Sequence, residues 1–309
     1  MIRIILFLVT NIAVMLLFSI VMFFMNVRFL NLINLLIISG IVGFSGSIIS
    51  LCMSKYIALF AVRGKILKQD MADEKEMWLL RIVCAQSKKL GIVIPQVVVY
   101  ESLAMNAFAT GPRRNSALVA VSTGLLKNMH NNEIESVVAH EMTHIYNGDM
   151  VTLTLLQGVM NTFVVFVSRV LAQCIAYCMS LGDGASEDNN DEENLFQENS
   201  SIYLFISIIL ESVFGILASI VTLWFSRHRE FYADAGAAKL VGTYNMIAAL
   251  KRLKLSYEPK ESNIVMSLCI HGKKNRNMFS ELFMSHPSID ARIEALRDEV
   301  YFNKERLFF

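Results

Sequence analysis

The amino-acid sequence predicts a mainly α-helical integral membrane protein, with about four transmembrane helices and a polar α+β domain. Its 309 residues are 54% hydrophobic and 18% charged, with a mean hydropathy of +0.48. Soluble domains have roughly 45–50% apolar and about 25% charged residues. The 28 Lys+Arg and 27 Asp+Glu residues leave a net charge of +1. We therefore expect no basic surface for nucleic acid.

Four apolar runs predict the transmembrane helices. Residues 4–24 and 29–53 contain no charged side chain. Each run exceeds the roughly 20 residues that cross about 30 Å of hydrocarbon at about 1.5 Å per residue. The first run is too long for the core of a signal peptide, so we expect it to stay as an anchor. Residues 150–179 and 201–226 are also long enough to span.

Each of the two later runs contains one charge, Arg169 in the third and Glu211 in the fourth. Charged side chains at membrane depth are costly and usually paired. We therefore expect these two side chains to contact each other.

These runs divide the chain into four parts. Residues 1–53 form two N-terminal membrane helices, and residues 54–149 form the first polar part. Residues 150–226 form a helical membrane hairpin with an acidic linker at 183–199, and residues 227–309 form the second polar part. The linker is expected to be an external loop, or a solvated flap if the hairpin only dips into the membrane.

Positive charges predict the orientation of the chain, because Lys and Arg are enriched in cytoplasmic loops. The acidic linker contains no Lys or Arg. Basic residues instead follow the second and fourth runs: Lys55, Arg63, Lys65, Lys68, Arg227 and Arg229. Both polar parts are therefore expected in the cytoplasm.

A metal-binding pattern occurs in the first polar part, where His140, Glu141 and His144 form an H-E-x-x-H sequence. On a helix this spacing places both imidazoles one turn apart on one face, with the carboxylate beside them. Asn131 and Asn132 are candidate N-caps for such a helix. The pattern indicates a zinc site.

Catalytic zinc needs a third protein ligand. A third histidine on the same helix would require Gly and His where the chain has Asn147 and Met150, so a three-His site is excluded. A carboxylate from a second helix fits better, and Glu230 and Asp234 share a helix face at i, i+4. Asp149 is nearer, but on a continued helix it would point roughly 140° away from the second histidine.

With these residues, the chain resembles the HtpX family of bacterial membrane zinc metallopeptidases, which are more distantly similar to CAAX prenyl endopeptidases. The resemblance covers nearly the whole chain. Its motifs are NAFATG at 106–111, the strand-like 117–123 followed by GLL, Glu133, HEMTH at 140–144, NGD at 147–149, Glu230 with Asp234, and SHP at 285–287 with Arg292.

The resemblance implies a zincin-like protease domain in the bacterial inner membrane, with its active site facing the cytoplasm. It implies protein substrates, above all misfolded or damaged membrane proteins, and contact with the lipid bilayer. It also implies one zinc ion per chain, with His140, His144 and Glu230 as ligands and Glu141 as the catalytic base.

Three further residues have expected roles around that zinc. Asp234 is suited to accept a hydrogen bond from the far nitrogen of a ligand histidine and so fix its tautomer. His286 could hydrogen-bond the oxyanion of the reaction, with Arg292 orienting either His286 or Glu230. The alternative is that the Ser-His-Pro sequence only begins a helix, with Ser285 as its cap.

A strand is predicted near the zinc helix, because residues 117–122 have strand composition. If this is an edge strand, Val119 and Val121 could pair with an extended substrate, together with Asn106 of the NAFATG motif. The alternative is an ordinary core strand.

Two other functions are compatible with parts of the sequence. A non-proteolytic membrane scaffold or transporter would use Arg169 and Glu211 as a pathway, but it would leave the H-E-x-x-H pattern unexplained. A prenyl-protein endopeptidase would share the zinc chemistry and act on lipidated C-terminal peptides. Cleavage of casein or of a farnesylated peptide would distinguish these functions.

Overall fold

The computed structural model describes residues 32–68, 73–182, 200–257 and 286–302. The predicted first span at 4–24 and the acidic linker at 183–199 lie outside these residues. The described helices are α1 (Leu32–Val62), α2 (Glu74–Leu90), α3 (Thr123–Asn128), α4 (Asn131–Asn147), α5 (Asp149–Gly182), α6 (Ser200–Val241), α7 (Thr243–Tyr257) and α8 (Ile289–Arg297). The strands are β1 (Lys65–Ile66), β2 (Gln96–Tyr100), β3 (Ala107–Thr110) and β4 (Leu118–Ser122).

Three described helices are long and apolar enough to cross a membrane, with candidate spans at Ile33–Val62, Asp149–Ala176 and Tyr203–Val241. They confirm the second, third and fourth predicted runs as helices. The helix that contains the fourth predicted run, α6, has 42 residues and continues well past the predicted boundary at 226. It ends at the residue before Gly242, which adopts a φ of +94° that favours glycine.

The described residues divide into two compact units, one containing residues 32–49, 154–182 and 200–224 and the other containing the rest. In the first unit, Arg169 Nε lies 3.3 Å from Glu211 Oε1, and both side chains are buried. The guanidinium of Arg169 also lies 5.9 Å from the ring centroid of Tyr203. The expected pairing of the two charges is confirmed, and it compensates charges that would be costly in hydrocarbon.

The second unit contains the four-stranded sheet, in the order β1-β2-β4-β3. β4 is parallel to β2 and antiparallel to β3, with Val119 opposite Val97 and Ala109. The hypothesis that Val119 and Val121 belong to an edge strand is therefore wrong. β2 and β3 pair with the two sides of β4, and the side chains of Val119 and Val121 are fully buried in the core on one face of the sheet. Among the described strands, β3 is an edge of this sheet.

Both faces of the sheet are covered, because successive strand residues point to opposite sides. Val97, Val99, Val119 and Val121 pack in one core with α2, α3 and α4. The alternate residues of β2 and β4 face a second cluster that includes Leu59 from the end of α1. This two-sided burial explains why β4 is apolar along its whole length, and it anchors α4 against the sheet.

Candidate metal centre

Local capping signals set the limits of α4, the helix with the H-E-x-x-H sequence. The helix begins after His130, whose backbone N–H donates to Glu133 Oε2 at 2.8 Å, so the predicted caps Asn131 and Asn132 lie inside the helix. It ends at Gly148, which adopts a φ of +73° and donates its N–H to His144 O at 3.0 Å. The second histidine therefore lies in the last turn.

Three side chains converge between α4 and α6. His140 Nε2 and His144 Nε2 are 3.2 Å apart. Glu230 places Oε2 3.6 Å from the first of these nitrogens and Oε1 3.4 Å from the second. One potential ligand atom from each residue lies within 4.8 Å of the others. Helix packing thus brings His144 and Glu230 together, although they are 86 positions apart in the sequence.

The far nitrogen of each imidazole contacts a carboxylate. His140 Nδ1 lies 2.9 Å from Asp234 Oδ1, and His144 Nδ1 lies 2.6 Å from Asp149 Oδ2. An Nδ1–H that donates to a carboxylate leaves the Nε2 lone pair free. The two Nε2 lone pairs therefore converge on one point, in the arrangement that orients metal-binding histidines.

The donor set fits a divalent metal ion such as zinc, for which two imidazoles and one glutamate are a known catalytic ligand set. Glu230 is only 5% exposed. Its Oε2 has His286 Nδ1 at 3.0 Å and Arg292 Nη1 at 3.3 Å, but no donor in the described part of the chain is aligned to hydrogen-bond it. A buried carboxylate oxygen without such a partner is suited to a metal.

The surrounding carboxylates change the proton affinity of both histidines. Burial by itself lowers the pKa of His140, but the neighbouring carboxylates of Asp234 and Glu230 outweigh burial and raise the pKa above its ordinary value. Burial likewise lowers the pKa of His144, and the carboxylate of Glu230 reverses that shift. The carboxylates around the two imidazoles therefore favour a positive charge at this site, either a proton or a metal cation.

Arg292 organises the carboxylates of α6. Its Nε donates to Asp234 Oδ2 at 2.7 Å and its Nη2 to Asp234 Oδ1 at 2.6 Å, while Nη1 lies 3.3 Å from Glu230 Oε2. From the sequence, Arg292 is expected to orient either His286 or Glu230, and the structure places it against Glu230. The bidentate pair fixes Asp234 behind His140.

His286 lies beside the three convergent residues, with its side chain 65% exposed. The cap of α8 is Ser288, whose Oγ accepts from Ala291 N at 3.3 Å, whereas Ser285 lies outside the described residues. An exposed imidazole at the rim of a buried centre can reach a bound substrate. Glu141 lies between the two histidines on α4 and is partly exposed.

The sequence does not predict the contacts that Asp149 and Arg229 make at this site. On a continuous helix Asp149 would point away from His144, but Gly148 ends α4 and Asp149 begins α5. The carboxylate consequently reaches the outer nitrogen of His144 and also forms an ion pair with Arg229. The glycine after the helix was the available signal, because a left-handed C-cap redirects the chain.

A close contact brings α6 against α4. A Cβ on Gly236 would overlap Thr143 Cγ2 and lie 3.1 Å from Thr143 Oγ1. Only glycine allows the helices to approach this closely, six positions after Glu230 on the same helix.

Asn106 lies just before β3, and its backbone joins it to β4. Its N–H donates to Ser122 Oγ at 3.0 Å, and its carbonyl accepts from Ser122 N at 2.9 Å. The backbone of Asn106 therefore fixes the start of the edge strand.

Comparison with known proteins identifies the family. Residues 73–300 match Peptidase family M48. Protease HtpX of Serratia proteamaculans (strain 568) is 54% identical over 301 residues, covering 97% of this chain and 99% of the relative. Protease HtpX of Photorhabdus laumondii is 53% identical over 304 residues, covering 98% and 100%. Protease HtpX of Buchnera aphidicola is 52% identical over 301 residues, covering 97% and 100%.

A solved structure shares the fold. The crystal structure of S. mikatae Ste24p matches with a TM-score of 0.57 at 17% sequence identity, over 84% of this chain. The chain spans 58% of the length of that protein. The chain therefore belongs to peptidase family M48 and is a membrane metalloprotease of the HtpX type.

Proposed function

We propose that this membrane protease is a zinc-dependent endopeptidase that hydrolyses peptide bonds of misfolded or damaged membrane proteins. The observation that carries the proposal is the convergence of His140, His144 and Glu230 within 4.8 Å, with Glu141 on the same helix as both histidines. Two imidazoles, one carboxylate and a neighbouring glutamate are the parts that metal-assisted peptide hydrolysis requires.

Zinc held by His140, His144 and Glu230 would polarise the scissile carbonyl and lower the pKa of a water molecule. Glu141 acts as the general base that takes a proton from the attacking water and passes it to the leaving nitrogen. His286 donates a hydrogen bond to the carbonyl oxygen as negative charge develops there.

The edge strand β3 is proposed to bind the substrate backbone. It pairs with β4 along one side and packs against α4, so an extended peptide added to its other side would run beside the zinc helix. This assigns to Ala107–Thr110 the pairing that the sequence suggested for Val119 and Val121. A proline substitution at Ala109 removes one backbone donor and tests whether that donor serves a substrate.

We further propose a bacterial inner-membrane location with the active site in the cytoplasm. Lys55, Arg63 and Lys65 follow the apolar part of α1, which supports this orientation through the positive-inside rule. A reporter active only outside the cytoplasm should be active when fused after residue 188 and silent after residue 89 or 260. Activity after residue 89 would overturn the cytoplasmic assignment.

Metal analysis and proteolysis of the full chain in detergent test the activity. We expect one zinc per chain and cleavage of casein. Glu141→Gln should keep zinc and lose about 10²–10⁴-fold in cleavage rate, the usual contribution of a general base. Glu135→Gln, on the same helix, should change neither quantity. Unchanged cleavage by Glu141→Gln would contradict the proposed base, and absence of zinc from the wild type would contradict the metal.

The substrate class needs a separate comparison. A purified membrane protein offered in its folded and its heat-unfolded form should be cleaved faster when unfolded, because β3 can pair only with an extended chain. Equal rates on the two forms would contradict a preference for misfolded substrates.

A further inference from the structure

Both ring nitrogens of His144 contact a carboxylate, one from Glu230 on α6 and one from Asp149 at the start of α5. On one side, Glu230 Oε1 lies 3.4 Å from Nε2. On the other side, Asp149 Oδ2 lies 2.6 Å from Nδ1, and the second oxygen of that carboxylate is paired with Arg229 Nη2. Arg229 and Glu230 are consecutive, so a single turn of α6 acts on both nitrogens.

We propose that Asp149 and Arg229 form a positioning pair that orients His144 for metal binding. The inference rests on the proposed role of His144 as a zinc ligand. It goes beyond that role by assigning a function to two residues outside the ligand set. Asp149 holds the proton of the imidazole on Nδ1, and Arg229 holds Asp149 in place.

Burial and charge support this assignment. Asp149 is 3% exposed and Arg229 is 9% exposed. A buried carboxylate without a cationic partner is strongly destabilising, and the guanidinium supplies that partner. Asp149 is also the first residue of α5, where the positive end of the helix dipole favours a carboxylate. The carboxylate is therefore held by a cation, a helix N-terminus and the imidazole.

The other ligand histidine has a matching arrangement. His140 Nδ1 contacts Asp234, and Asp234 is paired with Arg292. In each case the imidazole contacts a buried carboxylate, and that carboxylate contacts an arginine. The two sets of contacts involve different helices and orient both Nε2 atoms toward the same point. Because each set orients one imidazole ring, mutations should affect the two rings separately.

The experiment measures zinc affinity by competition with a chelator, using the full chain in detergent. A Glu141→Gln background prevents self-cleavage. Asp149→Asn and Arg229→Gln are expected to weaken zinc binding by about 10–100-fold, the usual effect of losing an outer partner of a ligand histidine. The controls Asp290→Asn and Arg297→Gln remove an exposed carboxylate and an exposed guanidinium from the same unit, and they should leave the affinity unchanged.

Two further readouts separate positioning from general stability. The visible absorption of the Co²⁺-loaded protein should change in both test variants and not in the controls, because the His144 ring is reoriented. The double variant Asp149→Ala/Arg229→Gln should bind zinc no more weakly than Asp149→Ala, because the arginine acts through the carboxylate.

A lowered melting temperature of the test variants, with unchanged zinc affinity and an unchanged Co²⁺ spectrum, would overturn the inference. If the Asp149 variants do not fold, Arg229→Gln decides by the same two readouts, because it leaves the carboxylate beside His144. A wild-type chain that binds no zinc would overturn the proposed function and this inference together, whereas zinc-loaded wild type with unaffected variants overturns this inference alone.

Discussion

The contact between α4 and α6 can be tested by adding one methyl group. Gly236→Ala places a Cβ where it overlaps Thr143 Cγ2 and lies 3.3 Å from Thr143 Cβ. The neighbour is a β-branched side chain on a helix, held further by the hydrogen bond of its Oγ1 to Ala139 O at 2.8 Å. The threonine cannot turn away without losing that bond, so the helices must move apart.

Two effects of opposite sign determine the stability of this variant. Overpacking one methyl in a close-packed interface costs about 1–3 kcal/mol. Replacing glycine by alanine inside a helix contributes about 0.5–1 kcal/mol in the stabilising direction. Gly215→Ala, also on α6, should receive only the second effect, because within the described ranges no atom beyond its own helical turn lies within 4 Å of the added Cβ. The difference between the two variants therefore isolates the contact.

Thermal unfolding of the zinc-loaded protein in detergent measures that difference. A contact worth about 1–3 kcal/mol corresponds to a gap of ~2–12 °C between the melting temperatures of the two variants. Gly236→Ala should also bind zinc more weakly, because α6 carries Glu230. Adding Thr143→Ser removes the clashing methyl and keeps the hydroxyl, so it should recover most of the loss. Equal melting temperatures for the two alanine variants, or no recovery by Thr143→Ser, would refute the reasoning.

Three other predictions concern the charged groups. Glu230→Ala should lose bound zinc while remaining folded, which metal analysis and a melting curve would show; stoichiometric zinc in this variant would exclude the glutamate as a ligand. Arg169→Ala or Glu211→Ala should each lower stability by about 3–5 kcal/mol by leaving a buried charge unpaired, and the double variant should lose less than the sum; additive losses would argue against the pair. Because the pKa values of His140 and His144 are raised, protons should compete with zinc at a higher pH than at an ordinary histidine. Zinc affinity should therefore fall as the pH falls, starting above about 6.5; an affinity that is constant from pH 8 to 6 would contradict those shifts.

The charge bias that predicted orientation includes one residue with another role. Arg229 is one of the basic residues that follow the fourth apolar run, but it is buried and paired with Asp149. A charge with a fixed structural partner says less about topology than a solvated one. Lys55 and Arg63 are thus the better support for the orientation.

The sequence by itself determined the features that depend on short chain separations. Helical periodicity alone places His140 and His144 on one face of α4, and apolar runs of more than about 20 residues with at most one charge each predict α1, α5 and α6. The pairing of Arg169 with Glu211 also followed from the sequence, because two isolated charges in neighbouring apolar helices have few alternatives.

The tertiary structure decided the features that depend on contacts between distant segments. The sequence around Val119 and Val121 is compatible with an edge strand and with a central strand, because strand composition indicates burial but not which strands lie on either side. The left-handed φ of +73° at Gly148 ends α4 and turns the chain, so that the carboxylate of Asp149 contacts His144. On an unbroken helix the same carboxylate would point away from that histidine. Glu230 and Arg292 come close to the two histidines, and Arg229 to the carboxylate of Asp149, only after α6 and α8 pack against α4. A local sequence pattern can identify a ligand histidine. The carboxylate that contacts its far nitrogen is known only from the folded structure, because it can belong to any segment that the fold brings within about 3 Å.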